Sequence, residues 1–100
     1  MAKNFTAAEA KPLLGDFEVI IDVRSQKEWD AGHLDLPSVR FEESLHQYPD
    51  KIPALVSEIA SKKVLVHCGS GLRAGKVGKL LEGKVADLSV VTSGGYTHLI

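Results

Sequence analysis

Cysteine is scarce in this sequence, because Cys68 is the only one among 100 residues. A single cysteine excludes a disulfide within the chain, and it also excludes a zinc site or a redox pair built from cysteines. Long apolar runs are absent as well, since stretches such as residues 64–66 fall far short of the roughly 20 residues that span a bilayer. Any chemistry at Cys68 must therefore proceed without a second thiol from the same chain.

The sequence also has little excess charge of either sign. Its 12 Lys and Arg face 13 Asp and Glu, which gives a formal net charge of −1. The basic residues are scattered, so the sequence lacks the basic stripe that binds nucleic acid or an anionic membrane. Residues 1–5 also lack the apolar segment of a signal peptide. We therefore expect a cytoplasmic protein with neither nucleic acid nor membrane as a partner.

Length and composition indicate one globular domain. Hydrophobic residues make up 44% of the chain and charged residues 25%, which is typical of a protein with a buried core. A chain of this length fits one domain, and it contains no internal repeat or linker. We predict a single domain over residues 1–100.

Helical and strand signals alternate along the chain. A Ser or Thr followed three positions later by Glu, or apolar residues at helical spacing, indicates a helix, whereas clustered β-branched residues indicate a strand. Helices are predicted over 7–14, 26–31, 52–59 and 73–82, with a weaker signal over 42–47, and strands over 18–23, 38–41, 64–68 and 85–91. This order predicts an α/β fold with a mostly parallel central sheet flanked by helices.

One segment combines the end of a predicted strand, a glycine-rich turn and the start of a helix. Cys68 ends the strand, and Gly69, Ser70 and Gly71 follow it. Ligands of open α/β sheets bind beyond the carboxyl ends of strands, and a helix start supplies unpaired N–H groups that favour a thiolate. The glycines allow backbone angles that turn amides toward an anion, and Arg73 adds a charged group suited to oxyanions. We interpret Cys68 as a candidate nucleophile rather than a small buried apolar residue.

Three motifs resemble those of the rhodanese family of sulfurtransferases, specifically its small single-domain members. IIDVR at 20–24, EW at 28–29 and GHL at 32–34 are similar to the family's N-terminal signature. The loop over 68–73 is similar to the family's active site, and TSGGY at 92–96 is similar to the segment after its last core strand. The resemblance implies a three-layer rhodanese-like fold and a site that needs no metal or organic cofactor.

The resemblance also implies a reaction. Cys68 would attack the outer sulfur of thiosulfate or a similar anionic donor and become a persulfide. Cyanide or a thiol acceptor would then take the outer sulfur from this persulfide. Arg73 would bind the donor's sulfonate. The implied substrate-binding residues share one loop: Gly69, Ser70, Gly71, Leu72 and Arg73. The six-residue loop is that of sulfur-carrying members, whereas the related phosphatases have one residue more.

Other polar residues are predicted to support the site. Asp22 and Arg24 end the strand before the signature helix, where an ion pair of Arg24 with Asp22 or with another carboxylate would brace the site. His67 precedes the nucleophile on its strand, so we expect its side chain on the opposite face of the sheet. Lys76 and Lys79 either attract anionic donors or form a solvated basic surface.

Functions of other classes remain open at this point. One is a sulfur-carrier or redox-sensing module that a partner, such as a sulfur-relay protein, loads with sulfur. Another is a phosphatase or arsenate reductase with the same type of loop. A third is a binding domain without catalysis, which the presence of Cys68 disfavours.

Overall fold

The computed structural model describes residues 2–100, in which five parallel strands form one sheet with helices on both faces. The strands are β1 (Lys3–Thr6), β2 (Val19–Asp22), β3 (Val39–Phe41), β4 (Lys63–His67) and β5 (Asp87–Ser93), in the spatial order β1-β5-β4-β2-β3. The α-helices are α1 (Ala7–Ala10), α2 (Gln26–Ala31), α3 (Ile52–Ile59), α4 (Leu72–Leu81) and α5 (Tyr96–Leu99). Short 3₁₀ helices cover Lys11–Asp16, Leu45–Gln47 and Pro49–Lys51. The predicted α/β fold is confirmed.

The central strands are buried on both faces, which explains their continuous apolar sequences. Ile20 and Leu65 pack into one core with α1 and α5. Ile21 and Val66, the next residue of each strand, pack into the other core with α3 and α4. Because side chains alternate along a strand, adjacent residues enter different cores. No helix within residues 2–100 is long and apolar enough to cross a membrane.

The structure corrects several predicted boundaries. Residues 3–6 form an edge strand and residues 96–99 form a helix, and neither was predicted. The helix predicted over 7–14 ends at Ala10 and continues as a 3₁₀ helix, because Pro12 lacks the N–H that an α-helix requires there. The helix predicted over 42–47 was wrong except for a 3₁₀ turn, since Ser44 has φ +47°, a left-handed conformation that no α-helix contains.

Candidate active site

Cys68 lies directly after β4, where the loop over 69–71 leads into α4. Its side chain is fully buried. The Sγ atom accepts the backbone N–H of Gly71 at 3.0 Å and that of Ala74 at 3.3 Å. Two N–H donors at the start of a helix stabilise negative charge on the sulfur. The structure therefore places the predicted nucleophile among donors that suit its thiolate form.

The rest of the loop leaves further backbone donors available. Among residues 2–100, no acceptor takes the N–H groups of Gly69, Ser70, Leu72 or Arg73. Gly69 and Ser70 are exposed, and the Leu72 side chain is 70% exposed. These four unpaired amides, two before Gly71 and two at the start of α4, can serve as hydrogen-bond donors to an anion.

The two loop glycines are needed for different reasons. Gly71 has φ +97°, and a Cβ at this position would overlap the backbone carbonyl of Thr92. Gly69 has no left-handed backbone angle. A Cβ on Gly69 would instead lie 3.0 Å from Nη2 of Arg73 and 3.3 Å from Oε2 of Glu28. Our expectation of an unusual backbone angle thus holds for Gly71 only, and Gly69 is constrained by the side chains beside it.

The turn after β5 packs against the backbone of the nucleophile. A Cβ on Gly95 would overlap the carbonyl oxygens of Cys68 and Gly69. The ring of Tyr96 lies over the guanidinium of Arg24, whose Cζ is 4.2 Å from the ring centroid. The glycine pair of the sequence motif therefore provides space for the Cys68 peptide.

Asp22 and Arg24 form the predicted ion pair, and both side chains are buried. Arg24 Nε donates to Oδ1 at 3.0 Å and to Oδ2 at 3.1 Å, and Nη2 donates to Oδ2 at 2.9 Å. Nη2 also donates to the carbonyl oxygen of Gly32 at 2.6 Å. The pair thus joins the end of β2 to the turn after α2 and to the ring of Tyr96. A buried charge of this kind depends on all its partners.

His67 lies on the opposite face of the sheet from Cys68, as predicted. It is the register partner of Asp22, and its Nε2 lies 3.9 Å from Asp22 Oδ2. Cys68 belongs to the other core, with α3 and α4. Burial lowers the pKa of His67, with Asp22 acting in the opposite direction. His67 is therefore a neutral residue on the other face of the sheet, beside Asp22, and its side chain does not reach Cys68 Sγ.

Sequence reasoning missed one residue of the site, Glu28. Arg73 Nη1 donates to Glu28 Oε1 at 2.6 Å, and Nη2 donates to Oε2 at 3.0 Å. The hydrogen bond from Arg73 is the largest cause that lowers the pKa of Glu28 to about 2, and the same contact raises the pKa of Arg73. Glu28 also completes the predicted capping box of α2 with Ser25. That local role is visible in the sequence, whereas a contact across 45 positions carries no local signal.

Comparison with known proteins identifies the family of this chain. The rhodanese-like domain family matches residues 6–99. The chain belongs to this family. A rhodanese-like domain protein from Staphylococcus aureus is 26% identical with a TM-score of 0.70, covering 98% of this chain and 91% of that chain. A Helicobacter pylori protein solved by NMR is 25% identical with a TM-score of 0.70, covering 96% of this chain and 80% of that chain.

A curated relative is much longer than this chain. In an alignment of 75 residues that covers 70% of this chain, the sequence is 35% identical to the tRNA uridine(34) hydroxylase of Salmonella arizonae. The matched region spans only 20% of the length of that protein. The similarity therefore concerns a domain and not the whole hydroxylase.

A groove of about 540 Å³ runs beside the active-site loop of this rhodanese-like domain. Its lining includes Gly71 and Leu72, which follow Cys68 closely in sequence, and Lys76, Lys79 and Glu82 of the α4 region. Both lysines are exposed. The two lysines singled out in the sequence thus lie next to the loop, on the surface of the helix that begins there.

Proposed function

We propose that this rhodanese-like domain is a sulfurtransferase that moves a sulfane sulfur from thiosulfate or a similar donor through a persulfide on Cys68. The observation that carries the proposal is the hydrogen bonding of Sγ by the amides of Gly71 and Ala74. Such donors favour the thiolate, which is the form of cysteine that attacks sulfur. The family membership supports the same reaction class.

The proposed reaction has two steps, each a displacement at sulfur. The Cys68 thiolate attacks the outer sulfur of thiosulfate, a new S–S bond forms, and the old S–S bond breaks with its electron pair leaving on sulfite. Cyanide or a thiolate then attacks the terminal sulfur of the persulfide. The S–S bond to Sγ breaks, its electron pair returns to Cys68, and thiocyanate or a new persulfide leaves.

The loop offers hydrogen-bond donors for two negative groups of the first step, the terminal sulfur of the persulfide and the sulfonate of the donor. The unpaired amides of residues 69, 70, 72 and 73 suit the negative terminal sulfur of the persulfide. One N–H of each terminal nitrogen of Arg73 donates to Glu28. The guanidinium carries five N–H donors in all. The remaining N–H groups are the ones we assign to the sulfonate of a donor.

A second candidate is a carrier domain that a partner protein loads with sulfur. The observation in its favour is Leu72, a large apolar side chain that is 70% exposed on the rim of the loop. This side chain is available for contact with an apolar surface of a protein donor. The two candidates share the Cys68 persulfide and differ in how it is loaded.

Mass spectrometry of the protein after incubation with thiosulfate tests the proposal. We expect Cys68 to gain the mass of one sulfur atom, and added cyanide to remove that sulfur as thiocyanate. Cys68→Ser is the matched control and should gain no sulfur. Persulfide formed only from a protein donor would favour the carrier, and hydrolysis of an aryl phosphate without sulfur gain would overturn both candidates.

A further inference from the structure

A positive and a negative side chain, Arg73 and Glu28, form an ion pair at the edge of the loop over 68–73. The guanidinium of Arg73 is held by the carboxylate of Glu28 through two hydrogen bonds. Since the pKa of Glu28 is about 2, this carboxylate is ionised at neutral pH. His46, which lies near Arg73 and Lys76, has a pKa lowered by burial and by those two cations, so it adds no positive charge there. Arg73 is therefore largely neutralised at the rim.

The carboxylate also lies close to the path of a donor. Its Oε2 is 3.3 Å from the position that a Cβ on Gly69 would occupy, directly after the nucleophile. A group that binds Arg73 from the loop side therefore approaches Glu28 as well. Each additional negative charge on that group adds repulsion from the carboxylate, and because the Glu28 side chain is 38% exposed this repulsion is screened by salt.

We propose that Glu28 is a specificity-determining residue that disfavours doubly charged donors such as thiosulfate and favours low-molecular-weight persulfides. This inference rests on the proposed sulfurtransferase function and names the preferred donor class. The Cys68 thiolate attacks the outer sulfur of a neutral persulfide, R–S–SH, and the donor S–S bond breaks with its electron pair on the R–S⁻ thiolate. The outer sulfur, with its proton, is then bound to Cys68. The leaving group of the persulfide, R–S⁻, carries one negative charge, whereas thiosulfate would release sulfite with two.

Glu28→Gln tests the charge because glutamine keeps the size of the side chain and its contact with Ser25. Glutamine at this position keeps the capping box of α2, whose Ser25 N–H now donates to Glu28 at 3.1 Å. The side-chain oxygen of glutamine can replace Oε1 and accept from Arg73 Nη1, whereas its amide nitrogen replaces Oε2 and cannot accept from Nη2, so the variant loses the charge and one of the two hydrogen bonds. Asp30→Asn is the matched control, since it removes one negative charge from the same helix while its oxygen still accepts from Gln26.

The experiment compares kcat/KM for thiosulfate and for 2-hydroxyethyl persulfide, measured by the rate of sulfur gain on Cys68. The wild type should prefer the persulfide. Glu28→Gln should raise kcat/KM for thiosulfate roughly tenfold, the effect of one nearby charge, and change the persulfide value by less than about twofold. Asp30→Asn should match the wild type, and Glu28→Asp, which keeps the charge, should keep the wild-type donor preference.

The outcomes separate the two proposals. An unchanged ratio of the two kcat/KM values in Glu28→Gln, with both donors loading Cys68, would overturn this inference alone. Absence of sulfur gain from both donors in every variant would overturn the sulfurtransferase function and the inference with it. A larger difference between wild type and Glu28→Gln at low ionic strength than at high ionic strength would support the charge mechanism.

Discussion

The backbone N–H of Tyr96 donates to the carbonyl oxygen of Cys68 at 3.0 Å. This bond ties the peptide of the nucleophile to the turn after β5, on the side of the sheet where Tyr96 also contacts Arg24. The position of Cys68 therefore depends on a segment that follows it by 28 residues in sequence. Substitutions in that turn should affect the chemistry without touching the sulfur.

Gly95→Ala should destabilise the protein and slow persulfide formation. The backbone of Gly95 is extended, with φ −169°, so the obstacle is space and not conformation. The added Cβ would overlap the carbonyl oxygens of Cys68 and Gly69, and such overpacking costs about 1–3 kcal/mol. Urea unfolding and sulfur gain on Cys68 measure the two effects. Gly75→Ala, where a Cβ meets nothing within 4 Å, should instead stabilise α4 by about 0.5–1 kcal/mol.

Cys68→Ala should unfold at lower urea concentration than Cys68→Ser, although neither variant can carry sulfur. Alanine leaves the N–H groups of Gly71 and Ala74 without the acceptor they now have. A buried donor without a partner costs about 1–3 kcal/mol, whereas a serine Oγ can accept in place of Sγ. Equal unfolding midpoints for the two variants would contradict a structural role for the sulfur as an acceptor.

The ion pair of Glu28 with Arg73 should persist into strong acid. The pKa of Glu28 is lowered from 4.5 to about 2 in the folded protein, chiefly by the hydrogen bond from Arg73. Its contribution to stability is therefore complete above pH 4.5 and declines as the pH falls through the folded pKa near 2. Urea unfolding of wild type and Glu28→Gln across this range should give curves that converge toward pH 2. A difference that does not vary with pH would refute the linkage.

Asp22→Ala should be strongly destabilising. It would leave the guanidinium of Arg24 buried without its carboxylate, a change that costs about 3–5 kcal/mol. The double variant Asp22→Leu with Arg24→Met removes both charges and should recover much of the stability. It should not recover sulfur transfer, because Gly32 and Tyr96 would still lack their contacts with Arg24. Denaturation and mass spectrometry together distinguish these outcomes.

The sequence predicted those features that depend on local chemistry. The capping box of Thr6 with Glu9 and that of Ser25 with Glu28 both form, because each is a contact between residues three positions apart. The apolar run ending at Cys68 forms a central strand because only a doubly covered strand lacks a polar face. The α/β fold followed from such local patterns, whereas the resemblance to the rhodanese family rested on the motifs at 20–24, 28–29, 32–34, 68–73 and 92–96.

The features that escaped prediction depend on tertiary contacts. The strand β1 contains mostly exposed polar residues and is held by its pairing with β5. Glu28 contacts Arg73, which is 45 positions away in sequence, and helix or strand periodicity cannot predict a contact between residues so far apart. The restriction at Gly69 is likewise set by two side chains that only the folded chain brings there.

One feature of α4 links the chemistry of Cys68 to the order of the helix. Gly71 precedes the helix without a capping side chain, and the third amide of the helix, from Ala74, binds Sγ instead. The sulfur thus occupies the role that a serine or aspartate oxygen has at other helix starts. A thiolate is a better acceptor than a sulfur already bonded to a second sulfur. In the proposed sulfur transfer, each cycle would therefore weaken and restore the cap of α4, and alkylation of Cys68 should fray its first turn in hydrogen exchange.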